Sequence, residues 1–408
     1  MKIVKILVIA LLVILLGYLI FNKKTTKHSS FSVRTIPTVE NDSLGFSKGV
    51  SGAFAGISND MLIFAGGCNF PDIPVSEGGS KVYYSSVYGL EAPYENSSEW
   101  KKLGDLPFPL GYGVSVNHNN TLYIIGGVNS DSSKADAFKV TYSDGELNIE
   151  PFESLPVRMD NMAGCVVKDK IYVMGGNVDG EPSNRVFSFD LNHDQSHWKE
   201  IEPFPGDARV QPLCVGGKNK FILLGGFFPG NIDLHKHPSL FPTPLVFNCN
   251  KNRWDKAKVP AFNDQFSVDI YGEEVTNPFA FVGAFGATFE GNRAVCMGGV
   301  NDKVFLNALE REYVLKDAGI DSLNFKRLNE EKQEYLKQDE DYYNFNRFLI
   351  TYDFDKDEWN LTTSSPDLKR AGASLVKVDD NGFILLNGEL KPGVRSNINV
   401  RLDLFADF

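Results

Sequence analysis

Six times along the chain an apolar run of strand length ends in a pair of small residues: MLIFAGG, LYIIGG, IYVMGG, FILLGG, AVCMGG and FILLNG. The pairs begin at Gly66, Gly126, Gly175, Gly225, Gly298 and Asn387, with spacings of 60, 49, 50, 73 and 89 residues. Short apolar runs bounded by glycine read as buried strands. Each pair follows a small-residue strand such as SGAFAGIS, GYGVSV, MAGCVV or AGASLV, which suits an inner strand crowded around an axis. Each precedes a third strand such as VYYSSVYGL, VFSFDL, LVFNC or FLITYDF. A fourth is marked by tryptophan, because Trp100, Trp198, Trp254 and Trp359 all fall there, in stretches such as HWKEIEPFP and RWDKAKVP. The chain is thus built from one four-stranded unit used six times.

A repeat of about 50 residues with four strands is the unit of a kelch-type propeller blade. The expected fold is all-β, a six-bladed kelch-type β-propeller with an N-terminal hydrophobic helix and a short helical insertion. The expected organisation is residues 1–28 as a signal anchor or signal peptide and 31–408 as the propeller. The last unit runs out at INVRLDLFADF without its fourth strand, while FSVRTIPTVEN, residues 31–41, reads as a strand that precedes the first unit. An open edge is a liability that propellers avoid by closing the ring, so residues 31–41 are expected to complete the last blade. The long spacings require insertions. Residues 227–280 read as irregular loop, and residues 315–345, with Ile320, Leu323, Leu328, Tyr335 and Leu336 near helical spacing, read as a helical cap.

The opening stretch MKIVKILVIALLVILLGYLIFNKK sets an apolar run between lysines, with neither a small-x-small cleavage site nor a lipid-accepting cysteine after it. It is expected to export the body of the protein to an extracytoplasmic location, anchored through residues 3–21 if uncleaved. Residues 1–30 hold five lysines and no acid, so the net charge of −11 for the whole chain becomes −11 − 5 = −16 for the rest. A nucleic-acid partner is disfavoured at that charge. The five cysteines, Cys68, Cys165, Cys214, Cys249 and Cys296, are scattered and odd in number, and read as small buried apolar residues. His235 and His237 lack further ligands at zinc spacing. No metal and no cofactor is expected, and a homodimer is left open.

In a four-stranded blade, the turn entering the inner strand and the loop leaving the glycine pair share one face, at the mouth of the central channel. The entry turns carry Tyr112, Arg158, Asn161, Arg209, Gln211 and Arg370, and the exit loops carry Asn69, Asn177, Asn301, Glu389 and Arg395. Arginines beside amides suit an anionic, polyhydroxylated ligand, because guanidinium groups grip carboxylates through two bonds. Arg158, Arg209, Arg370, Asn69 and Asn301 are therefore candidate substrate-binding residues. Glu389 stands out because it follows LLNG directly, where the other pairs are followed by Cys, Val, Asn or Phe. Lys391-Pro392-Gly393-Val394 fits a type II turn that would fold Arg395 back toward Glu389. Strand alternation alone leaves open whether the two side chains share a face.

The segments NGELKPGVR, GVSGAFAGISNDMLIFAGG and DYYNFNRFLITYDFDKDEW closely resemble the N-acetylneuraminate epimerase family, exported six-bladed kelch-type propellers that act as sialic acid mutarotases. The resemblance extends over roughly residues 31–408. Blade order differs, since the AFAGISND unit comes first here and the glutamate unit last, so the chain looks like a cyclically permuted branch. The resemblance implies that Glu389 is the proton acceptor and Arg395 its basic partner. Arg209 lies in a turn similar to the family's PRDQ segment, with the order DARVQP here. It further implies a small acidic sugar as substrate, interconverted between α and β anomers by acid/base ring opening and closure. Fold alone does not assign function, and the competing reading is a non-catalytic kelch propeller that binds a glycan or a protein.

Overall fold

A computed structural model describes residues 31–40, 42, 44–95, 97–193, 195–260, 280–290, 292–318 and 322–405. The apolar opening stretch lies outside these residues. Among the described residues no helix is long and apolar enough to cross a membrane.

The six units fold as six four-stranded antiparallel blades, which makes the protein an all-β, six-bladed propeller. Blade one runs Phe54–Ser58, Met61–Ala65, Ser86–Glu91 and Lys101–Asp105 from the axis outward. The sixth runs Ser374–Lys377, Gly382–Leu386 and Asn399–Leu404, and its outermost strand is Phe31–Ile36, paired in antiparallel register from Phe31 opposite Leu404 to Ile36 opposite Asn399. Every inner strand touches the next, and the inner strand of blade six touches that of blade one, so the ring is closed.

Three repeating devices hold neighbouring blades together. The first is apolar: six buried clusters, one per interface, such as Leu62, Phe64 and Tyr88 of blade one against Ile384 and Leu386 of blade six. The second is the tryptophan. Trp198, Trp254 and Trp359 donate Nε1–H to the carbonyls of Glu153, Glu202 and Lys258, just past the outer strand of the preceding blade. Trp100 makes the same bond, 2.8 Å, to Pro37, just past the Phe31–Ile36 strand, so the repeating clamp treats that strand as part of blade six. The third is the glycine pair. The second glycine donates its N–H to the entry turn of the next blade, Gly67 to Leu110, Gly176 to Arg209, Gly226 to Ala280, Gly299 to Arg370 and Gly388 to Val50. These glycines hold positive φ, and a Cβ on Gly66 would lie 2.4 Å from the Leu110 carbonyl oxygen. Asn387 takes the first position in blade six at φ 49°, which asparagine tolerates. Its side chain accepts from Val50 N–H and donates to Asn399.

Around the axial mouth the entry turns form a closed collar of backbone hydrogen bonds, one residue per blade. Gly52 N–H donates to Gly372, Gly372 to Gly283, Gly283 to Gln211, Gln211 to Asn161, Asn161 to Tyr112, and Tyr112 back to Gly52, at 2.7 to 3.4 Å. All six residues are left-handed, with φ between 51° and 65°.

The insertions differ from their expected limits. Helix begins at Asp302, and the cap consists of helices Asp302–Asp317, Leu323–Lys337 and Glu340–Tyr343. Each opens on a side-chain cap: Asn301 accepts from Val304 N–H, Ser322 from Phe325 and Asp339 from Tyr342. The stretch read as loop between 227 and 280 contains a small hairpin, Phe227–Phe228 with Ser239–Leu240, and both outer strands of blade four, Leu245–Asn248 and Arg253–Lys256. Its residues 261–279 lie outside the described structure.

Deleting residues 31–40 removes the outer strand of blade six, the buried side chains of Ile36 and Val39, and the acceptor of Trp100. The expected outcome is loss of a cooperative thermal transition; a melting curve unchanged from the full chain would contradict this closure. A second expectation concerns Asp302, whose carboxyl is pushed up to about 6 by burial, partly offset by a hydrogen bond from Ala280 N–H. Its protonated form is favoured by folding, so the contribution is fully present below the unfolded value near 3.8 and lost as pH rises through about 6. Asp302→Asn should therefore gain stability relative to the parent by about 3 kcal/mol between pH 3.5 and 7.5, read from denaturant melts at each pH. A difference independent of pH would contradict it.

Candidate active site

The loop after the last glycine pair folds as a tight hairpin, Glu389–Lys391 against Val394–Arg395, with Gly393 at φ 80°. Chain reversal makes Glu389 and Arg395 direct cross-strand partners. Residues opposite each other in an antiparallel pair point to the same side, so the two side chains meet. Arg395 Nη1 lies 3.1 Å from Glu389 Oε1, and Gly393 N–H donates to the same oxygen at 3.1 Å. The hairpin is pinned to blade six by reciprocal backbone bonds between Glu389 and Ala371.

The two members differ in exposure. The Arg395 side chain is 3% exposed and that of Glu389 24%. Arg395 packs its guanidinium over the ring of Phe70 at 5.7 Å. Burial alone would lower its pKa, but the charge of Glu389, with smaller effects of Tyr112 and Cys68, raises it above the usual arginine value. Its Nε and Nη1 have no aligned hydrogen-bond acceptor, so Nη1 is held to Glu389 by charge and proximity. A buried guanidinium with unfilled donors is costly in a finished core, and it fixes a positive charge behind the partly exposed Glu389 carboxylate. Tyr112 lies beside the pair with its hydroxyl 2.9 Å from Ser51 Oγ. Its pKa is raised well above the ordinary phenol value, mainly by burial and next by Cys68, so it stays a neutral hydrogen-bonding group.

These residues line a chamber of about 430 Å3 between the collar and the helical cap. The cap supplies an apolar roof from Val304, Phe305, Leu309, Tyr335 and Tyr343. Lys391 Nζ reaches the Gln338 carbonyl, tying hairpin to cap. Below, the chamber shares Tyr112, Gln211 and Gly372 with the axial channel, whose walls are the small residues of the inner strands.

The other residues singled out from the sequence are placed differently. Arg209 is buried and donates to the carbonyls of Gly225 and Thr243, stacked on Phe241. Arg370 is buried and donates to the carbonyls of Asn387 and Ile398. For both, burial lowers the pKa to about 10. Asn69 is buried too, donating to Gly45 and Gly49 and accepting from Tyr84. Arg158 is exposed and paired with Asp179 at 3.1 Å. None of these four lines the Glu389 chamber, whereas Asn301 does, besides capping the first cap helix. The sequence did not single out Lys81, Phe70 or Tyr343, and marked Tyr335 only as an apolar position of the cap; all four line the chamber. Lys81 sits in an unremarkable SEGGSKVYY stretch with no periodic signal to find it by.

The cysteines are free thiols, four of them buried, with Cys165 and Cys214 Sγ atoms 3.2 Å apart. His237 pairs with Glu310 at 2.9 Å. Among the described residues no group of three or more His, Cys, Asp or Glu side chains is placed to hold a metal ion.

A protein called N-acetylneuraminate epimerase from Yersinia pestis (strain Pestoides F) is 28% identical over 247 residues, 60% of this chain and 56% of that protein. One of the same description from Haemophilus influenzae (strain PittEE) is 27% identical over 253 residues, 61% of this chain and 58% of that protein. The chain thus spans little more than half the length of the curated relatives it matches. A solved structure titled "Structure of YjhT" superposes with a TM-score of 0.49 at 24% identity, over 61% of this chain and 64% of that one. The family model described as N-acetylneuraminate epimerase matches residues 19–149 and 152–406. By that match the chain belongs to the N-acetylneuraminate epimerase family.

Proposed function

We propose that this protein is a mutarotase that interconverts the α and β anomers of N-acetylneuraminic acid, with Glu389 as the proton-transfer group and Arg395 as its fixed cation. The observation that carries the reading is the pairing of a partly exposed carboxylate with a buried guanidinium, at the wall of a chamber large enough for a sugar.

Mutarotation requires a proton to leave the anomeric hydroxyl and one to arrive on the ring oxygen as the bond between that oxygen and the anomeric carbon breaks. Rotation about the freed carbon–carbon bond presents the other face of the keto group, and the steps reverse. One carboxylate serves both directions: on opening Glu389 takes the anomeric hydroxyl proton and delivers it to the departing ring oxygen, and on closing it takes the proton from that hydroxyl as it attacks and returns it to the keto oxygen, which becomes the new anomeric hydroxyl. Such proton transfer is typically worth about 10²–10⁴ in rate. Arg395 supplies a fixed positive charge next to the site where negative charge develops, and its burial means little reorganisation is needed when that charge appears. The apolar cap keeps bulk water from the opened chain. One carbon–oxygen bond and the O–H bonds are broken and remade with no net oxidation or reduction, so the chemistry calls for no redox group.

The same reading treats residues 31–408 as one permuted propeller and residues 1–28 as an export segment that holds the body outside the cytoplasm. A ring tolerates a moved opening because blade neighbours are preserved and its two ends meet in one blade.

Proton NMR of freshly released α-N-acetylneuraminic acid tests the reading. The protein should speed conversion to the β anomer, and Glu389→Gln should lose about 10²–10⁴ of that acceleration while the sugar still binds. A folded parent protein that binds the sugar without acceleration would support the non-catalytic propeller instead.

A further inference from the structure

Beside the Glu389 chamber lies a second cavity of about 370 Å3, which shares Lys81, Tyr112, Gln211 and Phe227 with it. We infer that this cavity is a subsite for the carboxylate and hydroxylated tail of the acidic sugar, with Lys81 as its charged anchor and an amide row as its polar wall. The inference rests on the mutarotase reading and adds to it which groups hold the non-reacting part of the substrate.

Lys81 stands at the divide between the two cavities, its Nζ 5.2 Å from the centre of the Tyr112 ring and 5.9 Å from that of Tyr83. No carboxylate forms a salt bridge with it among the described residues. The two cations of the site therefore have different tasks. Arg395 is paired with Glu389 beside the reacting atoms, whereas Lys81, with no carboxylate partner among the described residues, is placed to pair with a ligand's carboxylate. In a 2-keto sugar acid the carboxylate is bonded to the anomeric carbon, so an anchor for it must sit next to the acid/base pair, where Lys81 is.

The amide row is built on Asp160, which is 4% exposed and, as a carboxylate, can only accept. Asn161 and Asn177 each donate Nδ2–H to Asp160 Oδ1 at 2.7 Å, and Ser133 donates to its other oxygen. Gln211 in turn donates Nε2–H to Asn161 Oδ1 at 3.0 Å. An acceptor at the root of the chain fixes which end each amide presents. Asn177 and Gln211 are left with their carbonyl oxygens, a pattern that receives hydroxyl protons.

Backbone conformation supports the same assignment. Of the six left-handed collar positions, blades one, five and six use glycine, while blades two, three and four carry Tyr112, Asn161 and Gln211. Tyrosine and glutamine are unfavourable at positive φ, and such strain persists where the side chain has work that glycine cannot do. These three side chains all border the second cavity.

Direct binding and anomer kinetics on the intact protein separate this inference from the reading beneath it. Lys81→Met should weaken binding of N-acetylneuraminic acid, measured by titration calorimetry, about tenfold or more, which is about 1.4 kcal/mol. It should raise KM by a similar factor with kcat little changed. The methyl ester of the sugar, which lacks the charge, should bind parent and variant equally weakly. Gln211→Gly, which keeps the backbone in a conformation glycine prefers, should weaken binding of the full sugar acid but not of an analogue truncated in the hydroxylated tail. Unchanged affinity for the acid in Lys81→Met, or equal loss for acid and ester, would overturn the inference whether or not the parent protein accelerates mutarotation.

Discussion

The collar of six backbone hydrogen bonds around the axial mouth is the constraint on which the site depends. Each bond is worth only about 1 kcal/mol net, but the loop they form can close only if every blade contributes one residue at one height. That requirement fixes the entry turns, and the second glycine of five doublets anchors those turns to the preceding blade through one further bond. Where the collar residue is glycine, on the side of blades five, six and one, space is left above the ring. The Glu389 hairpin and the helical cap occupy that side. Where it carries a side chain, the mouth is narrowed by Tyr112, Asn161 and Gln211. The asymmetry of an otherwise repetitive ring comes from three residues that decline to be glycine.

Burying Arg395 is the energetic oddity of this mouth. A guanidinium 3% exposed with unfilled donors costs several kcal/mol unless something answers its charge. Glu389 answers part of it at 3.1 Å, without closing off the remaining donors. Contrast Arg209 and Arg370, also buried, whose terminal guanidinium nitrogens donate to backbone carbonyls beside the glycine doublets, although Arg209 Nε is left without an acceptor. The difference between a structural and a functional arginine here lies in what the donors find.

That difference explains what could be read from the sequence. Repeats were legible because each blade reuses one pattern of apolar strand, glycine pair and tryptophan, and the pattern has physical causes in interblade bonds. The Pro392-Gly393 turn was legible because its two residue types select one backbone geometry. That Glu389 and Arg395 share a face was not, because alternation along a strand gives no answer across a chain reversal. Entry-turn arginines look alike in sequence whether they bind a ligand or a carbonyl, so Arg158, Arg209 and Arg370 could not be told apart. Lys81 and the cap residues Tyr335 and Tyr343 reach the chamber through tertiary folding alone. The start of the cap at Asp302 was not legible although Asn301 is a good N-cap, because the first cap helix buries just Tyr313 and Leu315 and so shows little apolar periodicity.

The central claim is that Glu389 and Arg395 work as one unit. A double-mutant cycle on the anomer exchange rate, using Glu389→Gln, Arg395→Met and both together, tests it most directly. Groups that act as a unit give strongly non-additive losses, so the double variant should be scarcely slower than Glu389→Gln alone. Losses that multiply independently, each variant subtracting its own share, would contradict the pairing.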